Sequence, residues 1–359
     1  MAEMHEFVIN LHMHTVYSDG HATHAEIARV ALNSGLDGVI VTDHNVYVSG
    51  PQGYYQEGGR RVLLLVGEEI HDQTRQPQKS HLLVLGAGRE LSTLADDPQR
   101  LLDTIHQVGG LAFLAHPVDP PAPSVHENDI SWVDWQVQGF TGLELWNSFS
   151  EFKSRIKSKL QAIYYVFFPH QIACGPLPAA LECWDELLSH GKRVVCVGGS
   201  DAHALPASLG PLHRTVFPYE FHFRGINTHV FTPDSLSGEA CKDSQLILDA
   251  LAEGHAFIGY DLPASTRGFR FTANGETGTA WMGDCMPAKN GVTLQIRLPI
   301  PAECRLIKDG QQHKVWFNRE ICTFNTKEPG VYRVEAYLTY LGTRRGWIYS
   351  NPIYLTGNI

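Results

Sequence analysis

Short apolar runs alternate with amphipathic segments along most of the chain. The runs at 38–42, 62–66 and 111–115 are apolar throughout, as expected for strands buried on both faces of a sheet. The alternation continues to about residue 262 and predicts a parallel sheet with right-handed helical crossovers. The predicted strands are 7–9, 38–42, 62–66, 82–86, 111–115, 142–147, 193–197 and 228–231, and helices are predicted between Thr23 and Gly35, from Asp97 to Val108, near 150–166 and 177–189, and at 244–253.

The pattern changes towards the C-terminus, where helical periodicity stops. Short runs with the alternation of half-buried strands follow, for example at 331–337, and turn signals such as Asp309-Gly310 lie between them. This region predicts a small all-β sandwich of roughly immunoglobulin size. We therefore expect two domains, at residues 1–262 and 263–359.

Composition narrows the class of protein. The chain has 359 residues, of which 43% are hydrophobic and 18% are charged, and this is typical of a globular protein large enough for two domains. It has no apolar run of 18 or more residues, so we expect no membrane span. The first residues lack the basic and apolar segments of a secretory signal. Seven scattered cysteines without a Cys-x-x-Cys pair fit reduced thiols, and we expect a cytoplasmic location.

The distribution of charge bears on the possible partners. The formal net charge is −10, and there is no block rich in lysine and arginine. Binding to duplex DNA is therefore disfavoured, whereas a small-molecule substrate or the end of a single strand is compatible with the sequence. The oligomeric state stays open.

Histidine and carboxylate residues follow the predicted strands at the points where the strands end. His12 and His14 come after the first strand, and residues two apart on a strand point to the same side. Two neutral imidazoles beside a carboxylate suit a divalent metal, although a His-x-His pair is also common at protein surfaces. In a closed barrel the C-terminal ends of the strands converge on one rim, whereas an open sheet spreads them along an edge. The residues at such ends are His12, His14, His44, Glu69, His116, Asp201 and His203.

Other polar residues near these ends have more than one interpretation. His81 begins a strand instead of ending one, so its position alone makes it a weaker candidate. Asp43 is expected to orient a histidine through its ring N–H, not to bind the metal itself. Glu144 either supports the rim or is a structural carboxylate at a strand end. The segment 205–227 is expected to line or cover the rim, because long loops in compact domains are often functional.

Several motifs follow one another along the chain: His12-x-His14-Thr15-x-x-Ser18-Asp19-Gly20, Thr42-Asp43-His44, Gly67-x-Glu69-Ile70, His116-Pro117 and Gly199-Ser200-Asp201-Ala202-His203. Together they resemble the PHP family, named for polymerase and histidinol phosphatase domains. The resemblance covers residues 7 to about 260 and implies a distorted (β/α)7 TIM-like barrel with two or three metal ions, and the all-β tail resembles an accessory domain of stand-alone members. The family contains phosphoesterases, nucleases that act from the 5′ end, proofreading exonuclease domains and a branch that resembles carbaryl hydrolase.

The resemblance implies three groups of metal ligands. Glu69 is preferred to Glu68 because it occupies the Glu position of Gly-x-Glu-Ile, and Glu68 then points to the opposite side of the strand. Nitrogen and carboxylate ligands suit Mn²⁺, Fe²⁺ or Zn²⁺. The implied groups are His12, His14, Glu69 and Asp201 for the first ion, Glu69, His81 and His116 for the second, and Asp19, His44 and His203 for the third.

The implied chemistry is hydrolysis by a hydroxide held between two metal ions. A bound metal lowers the pKa of a water molecule from 15.7 to about 7, which is more than a lone histidine acting as a general base supplies. Asp201 or His203 would then pass the proton on. Phosphate oxygens also need basic contacts, and the candidates follow rim strands in the sequence: Lys153, Arg155, Arg214 and Arg224.

Three functions are compatible with these residues. The first is a metal-dependent phosphoesterase that acts on a small phosphomonoester or a nucleotide end. The second is a hydrolase of an ester, amide or carbamate, as in the carbaryl hydrolase-like branch, and it needs fewer cations because its tetrahedral intermediate carries less charge. The third is a binding protein that acts through the β-sandwich. The full set of ligand residues favours an enzyme over the third.

Overall fold

The structure is a computed structural model that describes residues 4–209 and 212–357. Residues 210 and 211, in the segment expected to line the rim, lie outside the described residues. The fold is mixed α/β with one large sheet and few helices, which confirms the expected α/β class. The strands are β1 (His5–Leu11), β2 (Gly38–Val41), β3 (Gly53–Glu57), β4 (Arg60–Ile70), β5 (Leu82–Leu85), β6 (Leu111–Leu114), β7 (Gly142–Asn147), β8 (Val195–Gly199), β9 (Leu205–Leu209), β10 (Leu212–Val216), β11 (Ile226–Thr232), β12 (Ala256–Tyr260), β13 (Arg270–Gly275), β14 (Gly278–Trp281), β15 (Cys285–Pro287), β16 (Val292–Lys308), β17 (Gln311–Thr326), β18 (Gly330–Tyr340), β19 (Thr343–Ser350) and β20 (Ile353–Thr356).

The helices lie mostly where the sequence predicts them. The long helix predicted near 150–166 is divided into two, because Ser158 begins a new helix by accepting a hydrogen bond from the backbone N–H of Gln161. None of the helices in the described part of the chain is long and apolar enough to cross a membrane. The helices are α1 (His24–Ser34), α2 (Pro98–Gln107), α3 (Ser148–Arg155), α4 (Lys159–Phe167), α5 (Pro178–Ser189), α6 (Tyr219–Phe223) and α7 (Ala240–Glu253).

Seven strands of the N-terminal region are joined in a circuit of backbone pairings. The order is β1–β2–β4–β5–β6–β7–β8. The chain beyond β8 then returns to the end of β1, where Ser200 donates its N–H to the carbonyl of Leu11 at 3.0 Å and Asp201 donates to that of His12 at 2.7 Å. The ends of β1 and β8 therefore lie side by side.

The expectation of a parallel sheet is wrong for two of the predicted strands. β11 runs antiparallel to β1 and β12. β5 runs antiparallel to both of its neighbours, β4 and β6. Residues 71–81, which connect β4 to β5, contain no helix, and a short connection without a helix favours an antiparallel return. The beginning of β5 therefore lies beside the end of β4, on the side where β1, β2 and β4 end.

The C-terminal region is built of β-strands alone within residues 268–357. Its centre is β16, which pairs antiparallel with β13, β17 and β18. The turn signal Asp309-Gly310 joins β16 to β17, and both of its residues have positive φ, at 50° and 75°, as a tight hairpin requires.

The C-terminal region is hydrogen-bonded to the N-terminal region across the expected boundary. β12 pairs antiparallel with β19, so the sheet is continuous between the two. Buried Asn351 accepts from the N–H of Cys196 at 2.7 Å and donates to the carbonyls of Cys196 and Ala256 at 3.0 Å. Arg333 adds a bidentate contact to Asp185 on α5, at 3.0 and 2.8 Å. We therefore expect the two regions to unfold together.

A buried network around His229 reinforces this junction. Its ring lies between two carboxylates, 2.9 Å from Glu6 and 3.2 Å from Asp261, and Thr266 bonds the same ring at 2.8 Å. Burial alone would lower the pKa of His229, but Asp261 and Glu6 raise it above its usual value. An ionised His229 therefore stabilises the folded chain.

This network predicts a pH-dependent contribution to stability. Because the pKa of His229 is raised in the folded state, its contribution is complete below the unfolded value of about 6.5 and is lost as the pH rises through the folded value. We expect the unfolding free energy of the metal-free protein to fall more steeply above pH 6.5 than that of a His229→Gln variant, by up to about 1.4 kcal/mol per pH unit. Urea denaturation between pH 6 and 9 measures the difference, and parallel curves would contradict the prediction.

Candidate metal centre

The ends of the strands bring the predicted ligand residues together on one rim. β1 leads into His12 and His14, and β4 carries Glu69 just before its end. His81 immediately precedes β5 and reaches the same rim because that strand runs antiparallel. Three groups of side chains have ligand atoms within 4.8 Å of one another: His12, His14, Glu69 and Asp201; His44, Glu69 and His81; and His14, Asp19, His44 and His203.

The first group contains the four residues expected for the first ion. Its side chains are buried, and Nε2 of His12 lies 3.0 Å from Oε2 of Glu69 and 3.5 Å from Oδ1 of Asp201. Nε2 of His14 lies 3.3 Å from each of the same two oxygens. Two imidazole nitrogens and two carboxylate oxygens thus converge on one small space.

Glu69 also faces the histidines expected around a second ion. Its Oε1 lies 2.8 Å from Nδ1 of His81 and 3.0 Å from Nε2 of His116. Its Oε2 lies 3.1 Å from Nδ1 of His44. His44 therefore belongs to this group too, although the sequence assigned it to the third ion alone. His116 contacts Glu69 but is not one of the residues whose ligand atoms lie within 4.8 Å of one another.

The third group lies closer to the solvent. Oδ1 of Asp19 is 3.3 Å from Nε2 of His203, and Oδ2 is 3.7 Å from Nε2 of His44. The side chain of Asp19 is 57% exposed, whereas that of Glu69 is completely buried. His14 joins this group as well as the first, so its ring lies between the two.

Unpartnered buried atoms test whether these residues fit a metal. Nε2 of His12, Nε2 of His14 and Oε2 of Glu69 are buried without a hydrogen-bond partner in the described part of the chain. Buried polar atoms normally have partners, because leaving them unpaired costs free energy. Their nitrogen and oxygen donors suit a borderline divalent cation. The first group therefore fits a bound metal ion.

The backbone is strained at three of the ligand residues. φ is +64° at His12, +26° at His116 and +52° at Asp201, in a region that residues with a β-carbon rarely adopt. Such conformations cost about 1–3 kcal/mol each and cluster at functional sites. The strain supports a functional role for this rim.

The carboxylates of the rim are ionised in spite of their burial. Burial alone would raise the pKa of Glu69, but His12, His44 and His81 lower it well below its usual value. Burial opposes ionisation of Asp201 too, and the surrounding histidines, His12 first, lower its pKa. The rim therefore presents negative oxygens to a cation.

The histidines differ in their response: burial lowers the pKa of His14 and lowers that of His44 to about 3, whereas carboxylates raise the pKa of His12 and His116. Burial would lower the pKa of His12, but Glu144 and then Glu69 raise it well above its usual value. Glu69 likewise raises the pKa of His116 to about 9, against its burial. These rings hold protons when no metal is bound, and a divalent cation would have to displace them.

Glu144, in the middle of β7, fixes the orientation of His12. Its two oxygens lie 3.0 and 3.1 Å from Nδ1 of His12, which leaves Nε2 free for the first group. It also accepts from the backbone N–H of His116 and from Nδ2 of Asn147, each at 2.9 Å. A β-carbon at Gly199 would lie 1.9 Å from Glu144, so only glycine leaves room for this carboxylate. Glu144 is thus both a structural carboxylate and a support for the ligand residues of the rim.

Asp43 has a different partner from the one expected. It accepts from the N–H and Oγ1 of Thr15, at 2.6 and 2.7 Å, and from Oγ of Ser18 at 2.8 Å. The nearest histidine contact, to Nε2 of His24, is 3.9 Å long and is too long for a hydrogen bond. Asp43 therefore fixes the loop that carries Asp19 instead of orienting a histidine.

The four cations proposed for substrate binding do not contact the ligand groups. Lys153 is buried and ion-paired with Asp119. The other three are engaged away from the ligands: Arg155 pairs with Glu151 at 3.1 Å, Arg224 pairs with Glu220 at 2.7 Å, and Arg214 lies over the ring of Phe167 at 5.1 Å.

Two residues near the rim were missed at the sequence level. His71 stacks on His81 with ring centroids 4.3 Å apart, and its pKa is lowered to about 4 by burial and by the neighbouring His81. Its signal was its position two residues after Glu69, which puts it on the same side of an extended chain. Phe149 lies beside His203, with centroids 6.0 Å apart, and no sequence signal marked it.

Comparison with protein families gives a match to one part of the chain. The family model described as PHP domain matches residues 10–116. The resemblance inferred from the motifs is therefore confirmed over this segment, which includes the ligand residues from His12 to His116 but ends before Asp201 and His203. No curated protein matches the chain.

Several solved structures are similar to the chain at low identity. A two-domain protein from Bacteroides vulgatus ATCC 8482, which contains a predicted PHP-like metal-dependent phosphoesterase, has 16% identity and a TM-score of 0.44, with 97% of this chain and 95% of that chain covered. An amidohydrolase from Chromobacterium violaceum, solved with bound sulfate and no metal, has 16% identity and a TM-score of 0.30, with 58% and 94% covered.

The position of Glu144 predicts an effect on metal affinity. Replacing a carboxylate that orients a ligand histidine typically weakens metal binding 10–100-fold. We therefore expect Glu144→Gln to weaken binding of Zn²⁺ or Mn²⁺ by about 10- to 100-fold, as measured by competition with a chelator. The control is Glu151→Gln, since Glu151 is an equally buried glutamate that bonds Trp146 and Cys174 and touches no ligand residue. Equal affinities in the two variants would refute the role of Glu144.

Proposed function

We propose that this protein is a metal-dependent hydrolase that cleaves a small phosphomonoester or a nucleotide end. The observation that carries the proposal is the buried Glu69 carboxylate, whose two oxygens face histidines of two overlapping ligand groups. Enzymes that hold two metals close together use such a site to activate water and to stabilise the charge of a phosphoryl group in transit. The match of residues 10–116 to the PHP domain also supports a metal-dependent hydrolase.

We also infer that the N-terminal circuit of strands is the distorted (β/α)7 barrel implied by the family. The support comes from its seven paired strands and from the hydrogen bonds by which Ser200 and Asp201 return to β1. On this proposal the barrel occupies residues 1–262 and the immunoglobulin-like sandwich 263–359. The antiparallel β5 is the principal distortion.

The residues of the rim have separate tasks in this proposal. His12, His14, Glu69 and Asp201 would hold the first ion, Glu69, His81 and His116 the second, and Asp19, His44 and His203 a third. When bound, Mn²⁺, Fe²⁺ or Zn²⁺ would supply Lewis-acid activation of water and charge neutralisation.

Proton transfer is assigned to Asp201 and His203. His203 donates from Nδ1 to the carbonyl of Asp201 at 2.9 Å, so its Nε2 points to Asp19 and can take up or release a proton there. Burial would lower the pKa of His203, but Asp19 and then Asp201 raise it to about 9. In this environment His203 holds a proton on Nε2 while no third ion is bound, and it can donate that proton to a leaving group; an ion in the third group would occupy Nε2 instead.

One observation favours a second candidate, a hydrolase of an ester, amide or carbamate. In the described part of the chain, no lysine or arginine is hydrogen-bonded or ion-paired to any of the nine proposed ligands. A substrate with less negative charge requires fewer such contacts. Substrate binding by Lys153, Arg155, Arg214 and Arg224 accordingly stays a prediction.

The proposed setting is the cytoplasm. All seven cysteines are free thiols, and reduced thiols are typical of that compartment. The proposed partners are a small-molecule phosphate ester or nucleotide and the metal ions.

Metal removal and a substrate screen test the function. We expect chelation to abolish hydrolysis of p-nitrophenyl phosphate or of a nucleotide 5′-phosphate, and Mn²⁺, Fe²⁺ or Zn²⁺ to restore it. Glu69→Gln is expected to lower kcat by more than about 100-fold, because losing a shared ligand should exceed the 10–100-fold cost of losing an outer partner.

Glu68→Gln is the matched control for that variant. Glu68 is the buried neighbour on the same strand, and it bonds the N–H of Leu91, away from the rim. Its activity is expected to stay near that of the unmodified protein. If the metal-loaded protein cleaves carboxyl esters but no phosphate ester, the second candidate replaces the first.

A further inference from the structure

His71 is a buried histidine at the rim that belongs to none of the three ligand groups. It directly follows β4 and is only 6% exposed. Its ring is stacked on that of His81, with centroids 4.3 Å apart and planes 15° from parallel, and it meets the ring of His44 edge-on at 5.2 Å. It therefore lies against the second group without being one of its members.

One nitrogen of the His71 ring has no hydrogen-bond partner in the described part of the chain. Its Nδ1 is fully buried and unpaired, although the backbone N–H of His71 is held by Oδ1 of Asn45 at 3.0 Å. A buried polar atom without a partner is unusual in a folded protein and requires an explanation. At the other unpaired atoms of the rim the explanation is a metal ion, but His71 is outside the groups that could hold one.

A neutral imidazole offers one N–H donor and one acceptor nitrogen. An anionic head group beside the second ligand group would present oxygens that accept hydrogen bonds. No lysine or arginine of the described residues bonds to the nine proposed ligands, whereas His71 packs directly against two of them, His44 and His81. His71 is placed to supply a donor to such oxygens.

We infer that His71 contacts the substrate, and that its imidazole N–H donates a hydrogen bond to an oxygen of the anionic head group held beside His44 and His81. This inference rests on the proposed function, since it takes the head group to be a phosphate. It makes His71 a residue that determines specificity for an oxyanion, separate from the ligands that bind the metals.

The packing role and the hydrogen-bonding role of His71 can be separated by two substitutions. His71→Phe keeps an aromatic ring against His81 but removes the donor. His71→Asn removes the ring but keeps an N–H near the position of Nδ1. The probes are inorganic phosphate, whose binding to the metal-loaded protein is measured by calorimetry, and p-nitrophenyl phosphate, whose hydrolysis gives KM and kcat separately.

If His71 contacts the head group, His71→Phe weakens phosphate binding and raises KM by roughly 10- to 100-fold, the loss expected for one hydrogen bond to a charged group. The metal content stays unchanged, and His71→Asn recovers part of the affinity. His24→Phe serves as a control, because His24 is also buried with an unpaired ring nitrogen but packs near Tyr17. It should leave phosphate affinity unchanged.

Three results would overturn the inference. Unchanged phosphate affinity and KM in His71→Phe would show that the residue only packs. A loss of bound metal in both His71 variants would make it a ligand. If the unmodified, metal-loaded protein binds no phosphate, the contact does not exist. By contrast, a protein that binds phosphate but hydrolyses no phosphate ester contradicts the proposed function, while the binding data still decide the role of His71.

Discussion

The rim depends on one electrostatic constraint, a fully buried glutamate surrounded by imidazoles. The carboxylate of Glu69 is out of contact with water, and burying a lone charge is costly. His12, His44 and His81 compensate for that cost, and they do so only while their rings remain within about hydrogen-bond distance of its oxygens. The positions of the surrounding strands are thus tied to the position of one side chain.

The architecture satisfies this constraint by joining strands that are distant in sequence. β1 and β8 meet through backbone hydrogen bonds, and this brings the His12 and Asp201 ligands together. Glu144 from β7 then bonds both the ring of His12 and the backbone of His116, so the first and second ligand groups share a supporting residue. The positive φ values at His12, His116 and Asp201 occur in residues that these contacts hold in place.

Much of this rim could be predicted from the sequence, because every ligand except His81 either ends a strand or belongs to a motif. The role of His81 was ambiguous because the direction of a strand depends on its pairing in the folded chain. β5 runs antiparallel to β4, and its N-terminal end therefore lies at the rim. The predicted hydrogen-bond partner of Asp43 was wrong for a related reason. Whether its carboxylate accepts from a histidine ring or from a loop hydroxyl depends on small differences in the path of the loop. The lack of a hydrogen-bond partner for Nδ1 of His71 among the described residues likewise depends on the surrounding fold, and the residue type alone does not predict it.

The uneven burial of the ligand groups has a kinetic consequence. A cation enclosed by His12, His14, Glu69 and Asp201 could leave only if buried side chains moved apart, because water has almost no access to them. Beside Asp19, whose carboxylate is more than half exposed, water can replace ligands one at a time. An ion in the outer group would therefore exchange with bulk solution faster than one in the inner group, and its occupancy would follow the free metal concentration around the protein.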